Sequence, residues 1–283
     1  MPRRCRSAAQ PTAPPPLPPR QTAPPQSWLR AARRLRNRRS TPPRQRPPAG
    51  PAASLYLTLF RGEPARQGRL GLLSVSPTTT RVLLMRHADV ENPHKVLYGH
   101  LPGFPLSALG RAQAIAVGQS LRDLGIRRIL HSPLERARET AELVNAQLPA
   151  PVPLIPEPAL TEAAIGRYLQ GIPYWQIPVR RPKWVLHKFR RGMLEGDESI
   201  QQLGDRIGGV VLRVACDHPG EISLCVSHAD PIQAAWVVFE GRAQTEHELY
   251  RKSVQRAGVL EIDVNRDRVI NVQYIAPPKV AIA

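Results

Sequence analysis

The stretch RVLLMRHAD, residues 81–89, decides the fold. Arg81 to Met85 is a short, largely apolar run bounded upstream by threonines, and it reads as a buried strand. The run ends abruptly in Arg86, His87, Ala88 and Asp89, which places a guanidinium, an imidazole and a carboxylate where the strand gives out. In a parallel sheet the carboxyl ends of the strands share one rim, and ligands bind there.

Downstream the pattern repeats. Ser107 to Leu124 carries Leu109, Ala112, Ile115, Ala116, Gln119 and Leu121 at helical spacing, with Ser107 as N-cap and Gly125 as the stop. Arg128 to Leu130 reads as a second strand, and Pro133 is placed to open a helix at its first position. Ser199 to Ala215 is helical, Ile222 to Val226 is a strand, and Pro231 starts a helix that runs to about Phe239. Gly258 to Val264 and Val269 to Tyr274, joined by Asn265, Arg266 and Asp267, read as a hairpin. This alternation predicts an α/β fold, with a mostly parallel sheet and helices on both faces.

Upstream of residue 81 the composition changes. Residues 1–80 hold 15 arginines, no lysine and a single acid, Glu63, and 16 of the chain's 32 prolines. The net charge of +18 therefore belongs mainly to this segment, and the rest is a nearly balanced globular sequence. Proline has no amide donor and disfavours helix at the residue before it. Residues 1–79 are thus expected to be a disordered, basic Pro/Arg-rich segment, and residues 80–283 the folded domain. One short basic helix is expected over Ser27 to Arg39, with Trp28, Leu29, Ala32 and Leu35 on one face. Clustered arginine suits a tether to nucleic acid or an anionic surface, and an Arg-rich, acid-poor start also suits a transit peptide. A solvated tail, or a start placed too far upstream, is the plainer reading. The absence of aromatic interleaving or a folded module weighs against a nucleic-acid partner.

Cys5, Cys216 and Cys225 are too few and too scattered for a disulfide framework or a Cys-rich metal site. Cys225 lies in an apolar run as a small core residue. A reducing, cytoplasmic setting follows as the expectation. No run approaches the ~18 apolar residues of a membrane span, so no membrane association is expected.

Three motifs follow three of these strands: Arg86-His87-Ala88-Asp89, Ser132-Pro133-Leu134-Glu135-Arg136 and Ser227-His228-Ala229-Asp230. Two histidines and two arginines gathered at one rim would suit a dianionic phosphoryl group. These segments, with FPLSALGRAQA, LTEAAIGRYLQG and GDESIQQLGDRI, occur in an order and spacing that resembles the histidine phosphatase superfamily, of phosphoglycerate-mutase-like fold. The resemblance runs from about Arg81 to Tyr274. It implies that His87 is the nucleophile that carries the phosphoryl group, and that Arg86 and Arg136 clamp its oxygens. It implies further that His228 stabilises the transferring oxygens and that Glu162 is the general acid. Asn92 is expected to reach the phosphate as well. Residues 162–195 correspond to a cap over the site. No metal or cofactor is implied, and the partner is a small phosphorylated metabolite; the oligomeric state, a homodimer included, stays open.

The residues also have plainer readings. Arg136 could be a surface helix charge beside Glu135 and Arg138, and Glu157 competes with Glu162 for the acid role. Ala88 and Ala229 stand where the family usually has glycine, and Asp230 stands where a small residue is common. His87-x-Asp89 and His228-x-Asp230 would also suit a metal site, although Arg86 and Arg136 would oppose a cation there. The segment from Gly171 to Gly192, rich in Arg and Lys with Tyr174, Trp175 and Trp184, bears on whether the reaction is hydrolysis or mutase-type transfer. It lacks the arginine-tyrosine stretch of a mutase. Phosphatase chemistry is the expectation, mutase transfer the alternative. A non-catalytic scaffold working through the basic tail is a third reading.

Overall fold

The computed structural model describes residues 79–185, 191–192 and 196–280. The expected tail and its short helix over Ser27–Arg39 lie outside the described residues. A six-stranded sheet forms the frame, in the order β3-β2-β4-β1-β5-β6. Its strands are β1 (Thr79–Arg86), β2 (Ile126–His131), β3 (Leu154–Pro156), β4 (Ile222–Ser227), β5 (Val259–Asn265) and β6 (Arg268–Ile275). The first four run parallel, and β5 and β6 are antiparallel additions at one side.

Strand alternation explains the layers. Leu83 and Met85 face one side with Ile129, Leu224 and Val226, against α1 (Ala108–Leu121) and α2 (Glu135–Asn145). Val82 and Leu84 face the other with Leu130, Cys225, Leu260 and Ile262. That side packs on α5 (Ile200–Asp217) and α6 (Ala229–Phe239). Because both faces are covered, β1 shows no polar alternation, as its sequence required. Three short helices complete the described fold: α3 (Ile165–Leu169), α4 (Ile177–Arg180) and α7 (Glu246–Arg251).

The expected caps are in place. The Ser107 hydroxyl accepts from the Gly110 N–H, and Gly125 closes the helical segment at φ +74°. Ser199 and Gln202 form a reciprocal capping box on α5. One expected start is corrected: α2 begins at Glu135, not at Pro133. The Leu134 N–H donates to the Ser132 hydroxyl, so the chain turns once before the helix opens. Cys225 has no exposure, and burial pushes its thiol up to about 12. Among the described residues no helix is long and apolar enough to cross a membrane.

Helix α1 sits unusually close to the segment after β1. An added Cβ on Gly110 would lie 1.9 Å from the Asp89 carbonyl oxygen, whereas one on Gly209 would meet nothing within 4 Å. Gly110→Ala is therefore expected to lose about 1–3 kcal/mol through overpacking. Gly209→Ala should be neutral or gain up to about 1 kcal/mol from helix propensity. Urea midpoints of the two variants check the contrast.

Candidate active site

The parallel register gathers the strand ends. Arg86 pairs with Ser227, and His131 with Val226, so the residues that follow β1, β2 and β4 emerge side by side. His87 extends the ladder by one rung: its N–H donates to the Ser227 carbonyl at 2.9 Å, and its own carbonyl accepts from Ala257 at 3.3 Å. Its backbone is thus held on both sides. The Ala88 N–H donates to the Thr140 hydroxyl at 3.1 Å.

The ring of His87 is fixed as firmly. Its Nδ1 lies 2.8 Å from the Ala88 carbonyl, which can only accept, so Nδ1 carries the proton and Nε2 keeps its lone pair. The His228 ring is 5.1 Å away, centroid to centroid, tilted by 59°. His228 Nε2 is hydrogen-bonded to the Ser132 hydroxyl at 2.8 Å. Its Nδ1 is buried without a hydrogen bond and lies 3.9 Å from Glu162 Oε2.

Two guanidiniums complete the cluster. Arg136 is 1% exposed, donates to the Gly99 carbonyl at 2.8 Å, and lies over the Tyr98 ring at 4.7 Å. Gly99 adopts φ +47°, and a side chain there would strike the Gly166 carbonyl. Only glycine lets that backbone pass so close to Gly166 at this positive φ, and its carbonyl is the one that Arg136 meets. Arg86 donates to the Val254 carbonyl at 2.8 Å. The Nε atoms of both arginines are buried without partners. Among the described residues no carboxylate lies within ion-pair distance of either.

The electrostatics follow from this packing. Burial, then the charges of Arg136 and Arg86, hold His87 well below the ordinary histidine value, and burial and Arg136 do the same to His228. Glu162 moves the other way: burial and then the Asp230 charge raise it, against opposing Arg136. The site therefore pairs neutral imidazoles with a carboxyl that gives up its proton less readily than an ordinary glutamate. That is the set needed to attack an electrophile between two cations and to protonate what leaves.

The structure brings together His87, His228, Arg86, Arg136 and Glu162. Arg136 is no surface charge, whereas Arg138 is 58% exposed beside Glu142. Glu157 caps the turn at Pro158–Leu160, accepting from the Ala159 N–H, and pairs with Arg213, so its carboxylate is engaged elsewhere. The Asn92 amide donates to the Val96 carbonyl at 2.8 Å and accepts from the Val96 N–H at 3.1 Å, so it closes a loop after β1. The carboxylates of the two His-x-Asp motifs are also taken, Asp89 by Arg256 and Ser107, Asp230 by Arg191 and Tyr250. Among the described residues no three His, Cys, Asp or Glu side chains cluster as a metal ion requires.

Sequence reasoning missed Ser132 and Tyr98, which hold His228 and Arg136. Ser132 lay inside a quoted motif, but a hydroxyl gives no signal by itself. Arg256, whose charge also acts on His87, sits in a loop without a motif.

Known proteins share this arrangement of the chain. Residues 82–275 match the family described as histidine phosphatase superfamily (branch 1). An uncharacterised protein of Mycobacterium tuberculosis is 34% identical over 206 residues, covering 71% of this chain and 98% of its own. A Bacillus subtilis protein named as an uncharacterised phosphatase, PhoE, is 28% identical over 163 residues, 57% of this chain and 78% of its own. A Salmonella protein named as a probable phosphoglycerate mutase, GpmB, is 29% identical over 153 residues, 52% of this chain and 69% of its own. The structure of Bacillus stearothermophilus YhfR superposes with a TM-score of 0.62 at 23% identity, covering 69% of this chain and 96% of its own.

The buried neutral imidazoles carry a cost in acid. In the unfolded chain His87 and His228 return to about 6.5 and bind protons that the folded site refuses. Unfolding free energy therefore falls as pH drops through and below 6.5. A His87→Gln, His228→Gln double variant is expected to lose less stability between pH 7 and pH 5 than the parent, read from urea midpoints.

Proposed function

Because the chain belongs to the histidine phosphatase superfamily, we propose that it is a phosphatase, hydrolysing a small phosphate monoester through a phosphohistidine on His87. The observation that carries this is the free Nε2 of His87, held by the Ala88 carbonyl beside the buried Arg136 and part-buried Arg86, neither of which has a carboxylate in ion-pair distance among the described residues. Three phosphoryl oxygens would satisfy donors that the protein leaves unmet.

The steps balance with the residues present. The Nε2 lone pair attacks phosphorus while the ester P–O bond breaks, and Glu162 gives its proton to the departing alkoxide. Arg86, Arg136 and His228 meet the negative charge on the equatorial oxygens. Water then attacks the phosphohistidine, Glu162 takes a proton from it, and the N–P bond breaks to release inorganic phosphate. His87 and Glu162 finish as they began.

Of the cations in the segment after Glu162, Arg191 is not available for mutase-type transfer. A mutase has to return the phosphoryl group to a bound acid, which calls for a cation to hold a carboxylate. Arg191, in the segment after Glu162, is 2% exposed in its side chain and already paired with Asp230 and Glu246. The substrate is a small phosphorylated metabolite, and the exposed free thiol of Cys216 suits a reducing, cytoplasmic setting.

Turnover of phosphate monoesters, with quench-flow trapping of the phosphoenzyme, tests the reading. Wild type should hydrolyse at least one monoester without added metal and trap label on histidine, while His87→Ala does neither. Equal rates for the two would remove the nucleophile. Glu162→Gln should slow an alkyl ester by about 10²–10⁴-fold. It should slow 4-nitrophenyl phosphate far less, because that leaving group departs without a proton.

A further inference from the structure

Ser132 follows β2 and is fully buried. Its N–H donates to the Val226 carbonyl of β4 at 2.9 Å, and its carbonyl accepts from His131 Nδ1 at 2.9 Å. The main chain is thereby fixed against the strand that leads into His228. The Ser132 hydroxyl oxygen accepts from the Leu134 N–H at 3.3 Å and lies 2.8 Å from His228 Nε2. Among the described residues the hydroxyl has no other partner.

Counting donors and acceptors decides which ring nitrogen of His228 carries the proton. A hydroxyl has one proton to give, and a neutral imidazole has one N–H and one lone pair. With the proton on Nε2, that N–H and the Leu134 N–H would both donate to the Ser132 oxygen. The Ser132 proton would then lack an acceptor in the interior, and Nδ1 would turn a second unmet group, its lone pair, toward the site. With the proton on Nδ1, Ser132 donates to Nε2 and accepts from Leu134. A single group is then unmet, the Nδ1–H. It is buried without a hydrogen bond, and Glu162 Oε2, at 3.9 Å, is beyond hydrogen-bond reach. Leaving one buried polar group unmet costs less than leaving two, so the proton belongs on Nδ1.

We propose that Ser132 is a positioning residue that fixes the tautomer of His228, leaving its Nδ1–H as the donor to a phosphoryl oxygen. The inference rests on the phosphatase reading for the identity of that oxygen, and on hydrogen-bond geometry for the tautomer. The two histidines of the site are then set in opposite senses. At His87 a carbonyl that can only accept holds the Nδ1 proton, and Nε2 is bare for attack. At His228 a hydroxyl occupies Nε2, and Nδ1 keeps its proton. Rings 5.1 Å apart thus present a lone pair from one and an N–H from the other. The opposite tautomer of His228 would set a lone pair against negative oxygens, so the Ser132 proton decides whether this ring attracts or repels the group being transferred.

The test is nitrogen NMR of the full chain carrying isotope-labelled histidine, which tells a protonated ring nitrogen from a bare one. His228→Gln, made in the wild type and in Ser132→Ala, assigns the signal. Wild type should show hydrogen on His228 Nδ1 and none on Nε2. Ser132→Ala removes the hydroxyl proton that Nε2 accepts, so the Nδ1–H share should fall and an Nε2–H signal should appear. Added inorganic phosphate should move the Nδ1–H signal of the wild type. Turnover of an alkyl monoester and of 4-nitrophenyl phosphate should fall alike in Ser132→Ala, by about 10²-fold, the loss that one oxyanion donor carries. The loss is shared because both esters have the same equatorial oxygens, whereas Glu162→Gln spares the second. A loosened fold lowers the urea midpoint but does not carry a proton from one ring nitrogen to the other. A wild-type proton on Nε2 overturns the proposal, and that spectrum decides even if Ser132→Ala does not fold. An unchanged Nδ1–H in folded Ser132→Ala overturns it too, as does a displaced proton with undiminished turnover. A proton that moves as expected in a protein that hydrolyses nothing would uphold the role of Ser132 in setting the tautomer and reject the phosphatase reading.

Discussion

A guanidinium withdrawn from water with no carboxylate in ion-pair distance is costly, and among the described residues Arg136 is such a group. Most buried arginines are neutralised by an acid, as Arg191 is by Asp230 and Glu246 and Arg81 by Glu261 and Asp263. Arg136 instead has a carbonyl, an aromatic face and an unmet Nε. The fold sustains it because burial holds His87 and His228 well below the ordinary histidine value, so neither adds positive charge beside it. In the proposed function, the same arrangement is what would favour an incoming dianion.

The sheet makes this constraint possible. Parallel strands cannot be joined by tight turns, so each crossover helix returns the chain to the same rim. His87, Ser132 and His228 come from three returns, and the register sets their spacing before any side chain is chosen. Antiparallel β5 adds its entrance to the rim from the opposite direction. That is how the Ala257 N–H reaches the His87 carbonyl and the Val254 carbonyl reaches Arg86.

Much of the fold was legible because burial on both faces leaves continuous apolar runs, as at Val82 to Met85 and Ser223 to Val226. Strand β3 was not, since Leu154, Ile155 and Pro156 are exposed at the sheet's edge and carry no pattern. Helix α7 was too short to show a period. The histidines and arginines were legible from their places at strand ends. Glu162 was different: with Glu157 five residues earlier, only the capping bond and ion pair of Glu157 separate the two. Asn92 serves a loop, where an amide fits as readily as it fits a ligand, so its residue type alone did not separate the two. Ser132 and Tyr98 act through a hydroxyl and a ring face, which leave no charge to notice.

The two alanines that replace the family's glycines show which property of those positions matters. Among the described residues the non-glycine positions with positive φ are Lys95, Ala257 and Arg266, so neither Ala88 nor Ala229 adopts the left-handed backbone that would demand glycine. What Ala88 contributes is main chain: its N–H reaches Thr140 and its carbonyl fixes the His87 tautomer. Its methyl group is fully buried in the core beside α1 and α2. The constraint at this position is thus one of size, set by two packed helices, and a methyl meets it. Ala229 starts α6, where alanine is the residue a helix prefers. The two alanines therefore leave the backbone that orients the His87 ring in an ordinary conformation, and the charge that Asp230 brings is held by Arg191 and Tyr250.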